Sequence, residues 1–323
     1  MIKTYLYNAQ ADQVLHDIEL GQTNQWLSHP DNLLWIDLYD YNAKEVNYIG
    51  QVFDFHPLAI EDVLHGSPRP KVDRYDRYYF FVFHALRYDE ESDDELTLFD
   101  LHVFLGENYI VTLHRNALPA VGRVAYHCLR GPKFMNRGPD YLLYAIVDGI
   151  IDEYFPIVDR LGVRIDELED ELYINPARET TDEILALKRT LLLLRKAILP
   201  QKRIFSNING RYSFEVREDN RPYYLDLVDH MERITDTIDT YRDLVNSAMD
   251  TYFSIISNKT NEIMRVLTIM STIFMPLTVI TGAFGMNVPI PFQEDKFMFY
   301  LIWVSMLFLS VAMIYWFKRK KWV

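Results

Sequence analysis

The chemically suggestive residues in this sequence are carboxylates. Asp226, Asp229, Asp236, Asp239, Asp243 and Asp250 recur at steps of three, four or seven, so on a helix they share one side. Like charges at that spacing destabilise an isolated helix by roughly a few tenths of a kcal/mol per pair. The stripe therefore suits either a solvated acidic face or a surface compensated by bound cations. A second set is uncharged: Thr268, Ser271, Met275, Thr278 and Gly282 follow three-four spacing and make a narrow, mildly polar stripe. Such a stripe can line a pore or serve a plain helix–helix contact. Catalytic constellations are lacking. The sequence contains no Walker-type loop, nucleophile elbow or clustered zinc-ligand motif, and His56, His84, His102 and His114 stand singly where structural roles are expected. The chemistry to expect is cation handling, not catalysis.

The elements that must position these residues follow from the apolar pattern. Residues 266–284 and 297–317 are uncharged apolar runs of 19 and 21 residues, each long enough to cross a ~30 Å hydrocarbon core as a helix. The net charge of −13 is a body of −16 over residues 1–265 joined to a basic end, because Lys296, Lys318, Arg319, Lys320 and Lys321 outnumber Glu294 and Asp295. So acidic a body repels nucleic acid and attracts cations. Cys128 is the sole cysteine, which excludes an intramolecular disulfide. The opening residues, MIKTYLYNAQADQVLHD, lack the apolar core of a signal peptide, so the large domain is expected in the cytoplasm. Lys259 and Arg265 before the first run and the basic cluster after the second place both termini on the cytoplasmic side, with the connection facing out. Trp303, Trp316 and Trp322 fall in or beside the second run, the last two where an inner aromatic belt would anchor it.

Ahead of the apolar runs, residues 78–88, 96–106 and 108–115 read as consecutive strands, the last two joined by a turn at Gly106-Glu107-Asn108. From about residue 141 the periodicity is helical, with breaks expected near Asn175-Pro176, Pro200 and residues 207–210. After Pro222, apolar or small residues at Tyr224, Leu227, Met231, Ile234, Ile238, Tyr241, Val245, Ala248, Tyr252 and Ile255 form a heptad seam. Ile184, Leu187, Leu191, Leu194 and Ile198 on the preceding helix are its expected partner. With no strong breaker from Pro222 to Pro276, one rod of roughly 90 Å can run into the first span. Two spans cannot enclose a path within one chain, so transport requires an oligomer. Neither span carries an Asp, Glu, His, Lys or Arg, which disfavours a carboxylate proton relay or a site that strips an ion bare. A partly hydrated cation suits them better, and magnesium dehydrates reluctantly.

At the outer end of the first run stands Gly285-Met286-Asn287, and the chain ends KRKKWV. Together with residues 59–86 (AIEDVLHGSPRPKVDRYDRYYFFVFHAL), 140–155 (DYLLYAIVDGIIDEYF), 187–200 (LKRTLLLLRKAILP) and 257–287 (SNKTNEIMRVLTIMSTIFMPLTVITGAFGMN), this resembles the CorA-type magnesium channels, the two-transmembrane GxN family. The resemblance implies a funnel-shaped homopentamer in the inner membrane. Its parts would be an α/β cytoplasmic domain over 1–140, a helical region with a long stalk over 141–265, a pore-lining helix over 266–284, an external loop over 285–296, a second transmembrane helix over 297–317 and a basic tail over 318–323.

By the same resemblance, Gly285, Met286 and Asn287 form the external mouth, where a ring of Asn287 amides holds a hydrated ion. Thr278, Met275, Leu267 and Asn261 then line the pore toward the cytoplasm. Asp62 and Asp226 form the main regulatory magnesium site, one from each neighbouring subunit, with Glu61 and Asp148 at a secondary site. The transported ions implied are Mg2+ and Co2+, with Ni2+ a further candidate; Mg2+ is also the regulatory ion, and no organic cofactor or nucleic acid is involved. A Met-Pro-Glu-Leu segment common in the family's outer loop is replaced here by residues 288–295, VPIPFQED, whose Glu294 and Asp295 can still concentrate cations at the mouth. A ZntB-like, proton-coupled zinc transporter shares the architecture and is the alternative. Scattered histidines and Met286 in place of a GVN form favour magnesium.

Overall fold

The computed structural model describes residues 1–89, 92, 95–174, 178–206, 214–286, 296–320 and 322. They fall into two compact units, Met1–Ala248 and Met249–Val323.

The first unit is built on a mixed seven-stranded sheet. Its strands are β1 (Ile2–Asn8), β2 (Gln13–His16), β3 (Leu33–Tyr39), β4 (Lys71–Arg74), β5 (Tyr79–Tyr88), β6 (Leu96–Leu105) and β7 (Tyr109–His114), in the order β2-β1-β3-β7-β6-β5-β4. Among the described strands only β3 and β7 run parallel. The three strands expected from the sequence are β5, β6 and β7, and the Gly106 N–H closes the expected turn on the Tyr109 carbonyl at 2.9 Å. Alternate residues of a strand face opposite ways, and β5 uses both faces. Phe80 and Val82 join Phe55, Val46, Ile49, Ala59 and Val63 under α2 (Ala43–Phe53) and α3 (Pro57–His65). Phe83 stacks on Phe205, and Phe81 meets Phe214 edge-on, on the other side.

Local sequence fixes α2 and α3. Asn42 and Glu45 form a reciprocal capping box at the start of α2, and the left-handed Asp54 ends it. His56 then caps α3 by accepting the Leu58 N–H, with Pro57 at the first helical position. The short helix that results carries Glu61 and Asp62, and the Tyr41 hydroxyl pins it through the Val63 carbonyl at 2.9 Å.

The remaining helices are α1 (Thr23–Leu27), α4 (Pro119–Leu129), α5 (Pro139–Asp152), α6 (Tyr154–Ile174), α7 (Arg178–Ser206), α8 (Arg221–Phe284) and α9 (Lys296–Arg319). The break expected at Pro200 does not occur, since α7 runs through it to Ser206. A proline costs an interior helix about 3 kcal/mol. Here Ala197, Ile198, Gln201 and Phe205 are buried on both sides of it, and Gln201 hydrogen-bonds the Ala197 carbonyl and the Tyr154 hydroxyl, each at 3.0 Å. The breaks expected near Asn175-Pro176 and over residues 207–210 lie outside the described residues.

Most of the two seams is buried: Ile184, Leu187, Leu191, Leu194 and Ile198 on α7, and Tyr224, Leu227, Met231, Ile234, Ile238, Val245 and Ala248 on α8, with Tyr241 half-buried. Three polar rungs flank them. Lys188 reaches Asn246 at 3.3 Å, Arg195 reaches Asp239 at 2.8 Å, and Lys202 reaches Glu232 at 3.0 Å. Numbering climbs on α7 and falls on α8 by one heptad per rung, so the pair is antiparallel and in register. Gly162 on α6 makes room for it, since a Cβ there would collide with the Tyr241 hydroxyl.

In the second unit α8 continues to Phe284, with Pro276 inside the helix, and α9 follows. Both helices contain stretches long and apolar enough to cross a membrane, and these stretches are exposed.

Candidate ion pathway and cation-binding site

The residues expected to line a pore sit on the exposed surface of α8. Asn261, Leu267, Met275 and Thr278 are all exposed, Met275 at 72%. The threonine hydroxyls have a definite orientation. Thr268 donates to the Met264 carbonyl at 2.7 Å, Thr272 to Thr268 at 2.7 Å, and Thr278 to Phe274 at 2.9 Å. Each hydroxyl proton is thereby spent on the helix backbone, which leaves the oxygen free to act as an acceptor. A row of acceptors suits the outward-pointing hydrogens of water around a cation. Pro276 adds another acceptor, since without an N–H it leaves the Thr272 carbonyl lacking its usual intrahelical donor. At the helix end the Gly285 N–H bonds the Thr281 carbonyl at 2.8 Å, and Met286 is 55% exposed. Asn287, Glu294 and Asp295 lie outside the described residues.

The four carboxylates expected to sense cations fall into two groups within the chain. Asp62, on α3, is engaged: Lys71 of β4 places its Nζ 2.7 Å from the Asp62 carboxylate and 2.7 Å from Asp73. Burial alone would depress the Lys71 ammonium, but its hydrogen bonds to Asp62 and Asp73 outweigh that and raise it. Glu61 lines the same shallow hollow, with Leu58, Arg74 and Tyr75.

Asp148 and Asp226 meet around a residue that sequence reasoning passed over, His230. Its Nδ1 is 3.9 Å from Asp148 and its Nε2 is 3.8 Å from Asp226. Asp152, also missed, completes a cluster in which one ligand atom each from Asp148, Asp152 and His230 lies within 4.8 Å of the others. The signal was present as two pairs at i and i+4, Asp148 with Asp152 and Asp226 with His230. What the sequence lacked was the packing of α5 on α8, fixed by the Tyr224 hydroxyl donating to the Asp140 carbonyl at 2.7 Å. Burial pushes the Asp148 carboxyl upward, and the charge of Asp152 adds to this, while His230 and the Tyr144 hydroxyl oppose it. Asp148 Oδ1 and His230 Nδ1 are shielded from solvent with no hydrogen-bond partner. Two carboxylates and an imidazole with orphaned ligand atoms fit a divalent cation, and the nitrogen donor suits cobalt, nickel or zinc as well as magnesium. Among the described residues, no ion pair or hydrogen bond joins the Asp62 group to the Asp226 group within the chain.

His56 is the α3 cap, His84 and His102 are buried on β5 and β6, and His114 pairs with Asp37 at 3.1 Å. Within the acidic stripe Asp239 is taken by Arg195 and Arg242, whereas Asp229, Asp236, Asp243 and Asp250 are exposed.

Residues 30–319 match a protein family described as "CorA-like Mg2+ transporter protein". The cobalt/magnesium transport protein CorA of Thermotoga maritima is 36% identical over 90% of this chain and 83% of its own length. The solved structure of the CorA magnesium transporter from Methanocaldococcus jannaschii superposes with a TM-score of 0.82 at 25% identity, covering 100% of this chain and 99% of that one. It shares the α/β first part, the long helix and the C-terminal apolar helices expected from the sequence. The zinc transport protein ZntB of Yersinia enterocolitica is 24% identical over 92% of this chain and 86% of its own length.

Proposed function

Because the chain belongs to the CorA-like Mg2+ transporter family and is not an enzyme, we propose that it conducts magnesium, and cobalt as a second ion, into the cell as a homopentameric channel gated by intracellular magnesium. One observation carries this reading: a family match over residues 30–319 whose longest element, α8, runs from acidic heptads into an apolar span bearing a row of oxygen acceptors. Five copies of α8 around an axis would bring Thr278, Met275, Leu267 and Asn261 into successive rings. Hydroxyl and carbonyl acceptors would handle the ion through its water shell, and no charge within the span would trap it. Rings of Met275 and Leu267 would close the path by dewetting. Gly285, Met286 and Asn287 would form the external mouth, with Glu294 and Asp295 raising the local cation concentration. Both termini would be cytoplasmic.

Gating rests on charge. Asp226 is exposed and Asp62 lies partly buried against Lys71, and the two do not touch within the chain, an arrangement that supports a magnesium ion bridging Asp62 of one subunit and Asp226 of the next. Glu61 and Asp148, with His230 and Asp152 beside the latter, would make the second site. When magnesium falls, the unscreened carboxylates would repel and loosen the ring. Nickel would use the same path. The zinc reading is weaker, since the matched zinc transporter is the more distant relative and the spans hold no Asp, Glu, His, Lys or Arg for a proton relay.

The test is ion-resolved flux in proteoliposomes at several internal magnesium concentrations, with and without a proton gradient. Magnesium influx that falls as internal magnesium rises, and that Asn287→Ala abolishes in a folded pentamer, is expected. Zinc uptake requiring the gradient, with no magnesium flux, would overturn the proposal.

A further inference from the structure

We infer that Lys71 is a tethered competitor for the cation at Asp62. Its ammonium holds the carboxylate when no divalent ion is bound and must let go before one binds, so Lys71 sets the magnesium concentration at which the site fills. The inference rests on the reading of Asp62 as a sensing carboxylate.

Geometry supports it from three directions. The contact is direct, 2.7 Å from Nζ to Asp62 Oδ2, and both side chains are about two-thirds buried, at 35% and 29% exposure. Lys71 is also held in place: β4 pairs with β5 through Lys71 and Val82, and the ammonium stands 5.8 Å from the centre of the Phe80 ring. A mobile surface lysine would have neither constraint.

Asp73 supplies the third support. It lies two residues along the same strand, on the same face, and also stands 2.7 Å from the Lys71 ammonium. Lys71 can therefore release Asp62 without losing its only counter-charge, which makes displacement by a metal ion reversible. The charges also close. Two carboxylates sharing one ammonium retain one negative charge. With a magnesium ion seated between Asp62 and the partner subunit's Asp226, and Lys71 resting on Asp73, three carboxylates balance three positive charges.

Neighbouring cations do not share this role. The Arg74 guanidinium lines the same hollow but lies over the Tyr79 ring, at 5.7 Å. It contributes a field at Asp62, whereas Lys71 occupies the ligand atom.

The experiment titrates magnesium against full-length protein in detergent and reads the midpoint of protection from limited proteolysis. Lys71→Met should lower that midpoint about fivefold, the scale of one partly exposed ion pair. Lys71→Arg should leave it close to wild type, and Asp73→Asn, which gives Asp62 sole claim on the ammonium, should raise it about threefold. Arg74→Gln removes a nearby charge without freeing Asp62 and should shift the midpoint by less than about twofold. If Lys71→Met does not fold, Lys71→Gln and Asp73→Asn carry the test. A midpoint that Lys71→Met or Lys71→Gln leaves unchanged, or moves no further than Arg74→Gln does, overturns the competitor role, provided Asp62→Asn abolishes protection. Should Asp62→Asn retain wild-type protection, the sensing reading of Asp62 itself fails, a result distinct from the first.

Discussion

Two stretches of α8 carry the same three-four apolar rhythm and meet opposite fates. From Tyr224 to Ala248 the seam is buried against the rest of its unit, with Tyr224, Leu227, Met231 and Ile238 fully enclosed. Beyond Met249 the rhythm continues, yet Tyr252 and Ile255 are half-buried and Leu267, Met270 and Phe274 are more than half exposed. Periodicity states which side chains share a face. It does not state whether the same chain supplies the surface that covers that face. The first stretch is closed by α5, α6 and α7; among the described residues nothing closes the second.

That contrast breaks most directly under truncation. Leu191→Ala empties a fully buried position in the α7 seam and should cost about 2–5 kcal/mol. The same truncation at Leu267, 53% exposed in the chain, should cost less than about 1 kcal/mol in the single chain. Urea unfolding of both variants in detergent, monitored by circular dichroism, measures the difference. Equal losses would mean that the second stretch is packed within the single chain after all.

Legibility in the sequence follows the same division. Strands β5 to β7, both seams and the two apolar spans could be read because each is a local repeat of known period. Pro200 was misread because tertiary burial around Gln201 and Phe205 overrides a local breaker. Lys71, Asp152 and His230 escaped notice for a related reason. Their roles depend on which residue of another element they face, and only the packing of α3 against β4 or of α5 against α8 settles that. Asp239 shows the converse: counted in an acidic stripe, it is neutralised by Arg195 from α7 and Arg242 from its own helix. Asn287, assigned to an external mouth by resemblance alone, lies outside the described residues.

Polar groups sort into closed and open sets as well. Asp37 and His114, at the end of the parallel β3–β7 pair, are closed. Asp37 Oδ1 accepts from the Thr112 hydroxyl at 2.6 Å and faces His114 Nε2 at 3.1 Å, while His114 Nδ1 faces the Asn116 carbonyl at 2.6 Å. Two acceptors around one ring favour the imidazolium: burial would depress His114, but Asp37 outweighs it and the net direction is upward. A raised histidine stabilises the fold fully below its unfolded value of about 6.5, and that contribution is lost as pH rises through the higher folded value. Asp37→Asn should therefore lose about 2 kcal/mol at pH 6 and less at pH 9. Urea midpoints at the two pH values test this, and a loss independent of pH would show that the pair is not an ion pair.

The open set is Asp148, Asp152 and His230, and there the smallest effect carries a reversed sign. Burial and the charge of Asp152 hold the Asp148 carboxyl above its ordinary range, so the fold binds that proton more tightly than the unfolded chain does. Stability from this group is present at low pH and declines as pH rises from the ordinary carboxylate value through the folded one, leaving the ionised group a net burden at pH 7. Asp148→Asn removes the charge while keeping the shape, and should stabilise the metal-free protein at pH 7 by less than about 1 kcal/mol. Saturating cobalt should reverse the order, because a cation seated on the orphaned Asp148 Oδ1 and His230 Nδ1 stabilises the wild type through mass action and gains less from the amide. Thermal melts with and without cobalt, on wild type, Asp148→Asn and His230→Ala, separate the cases. A cluster closed within the chain would show neither the initial gain nor the reversal; an open one needs its ion before its carboxylates contribute to stability.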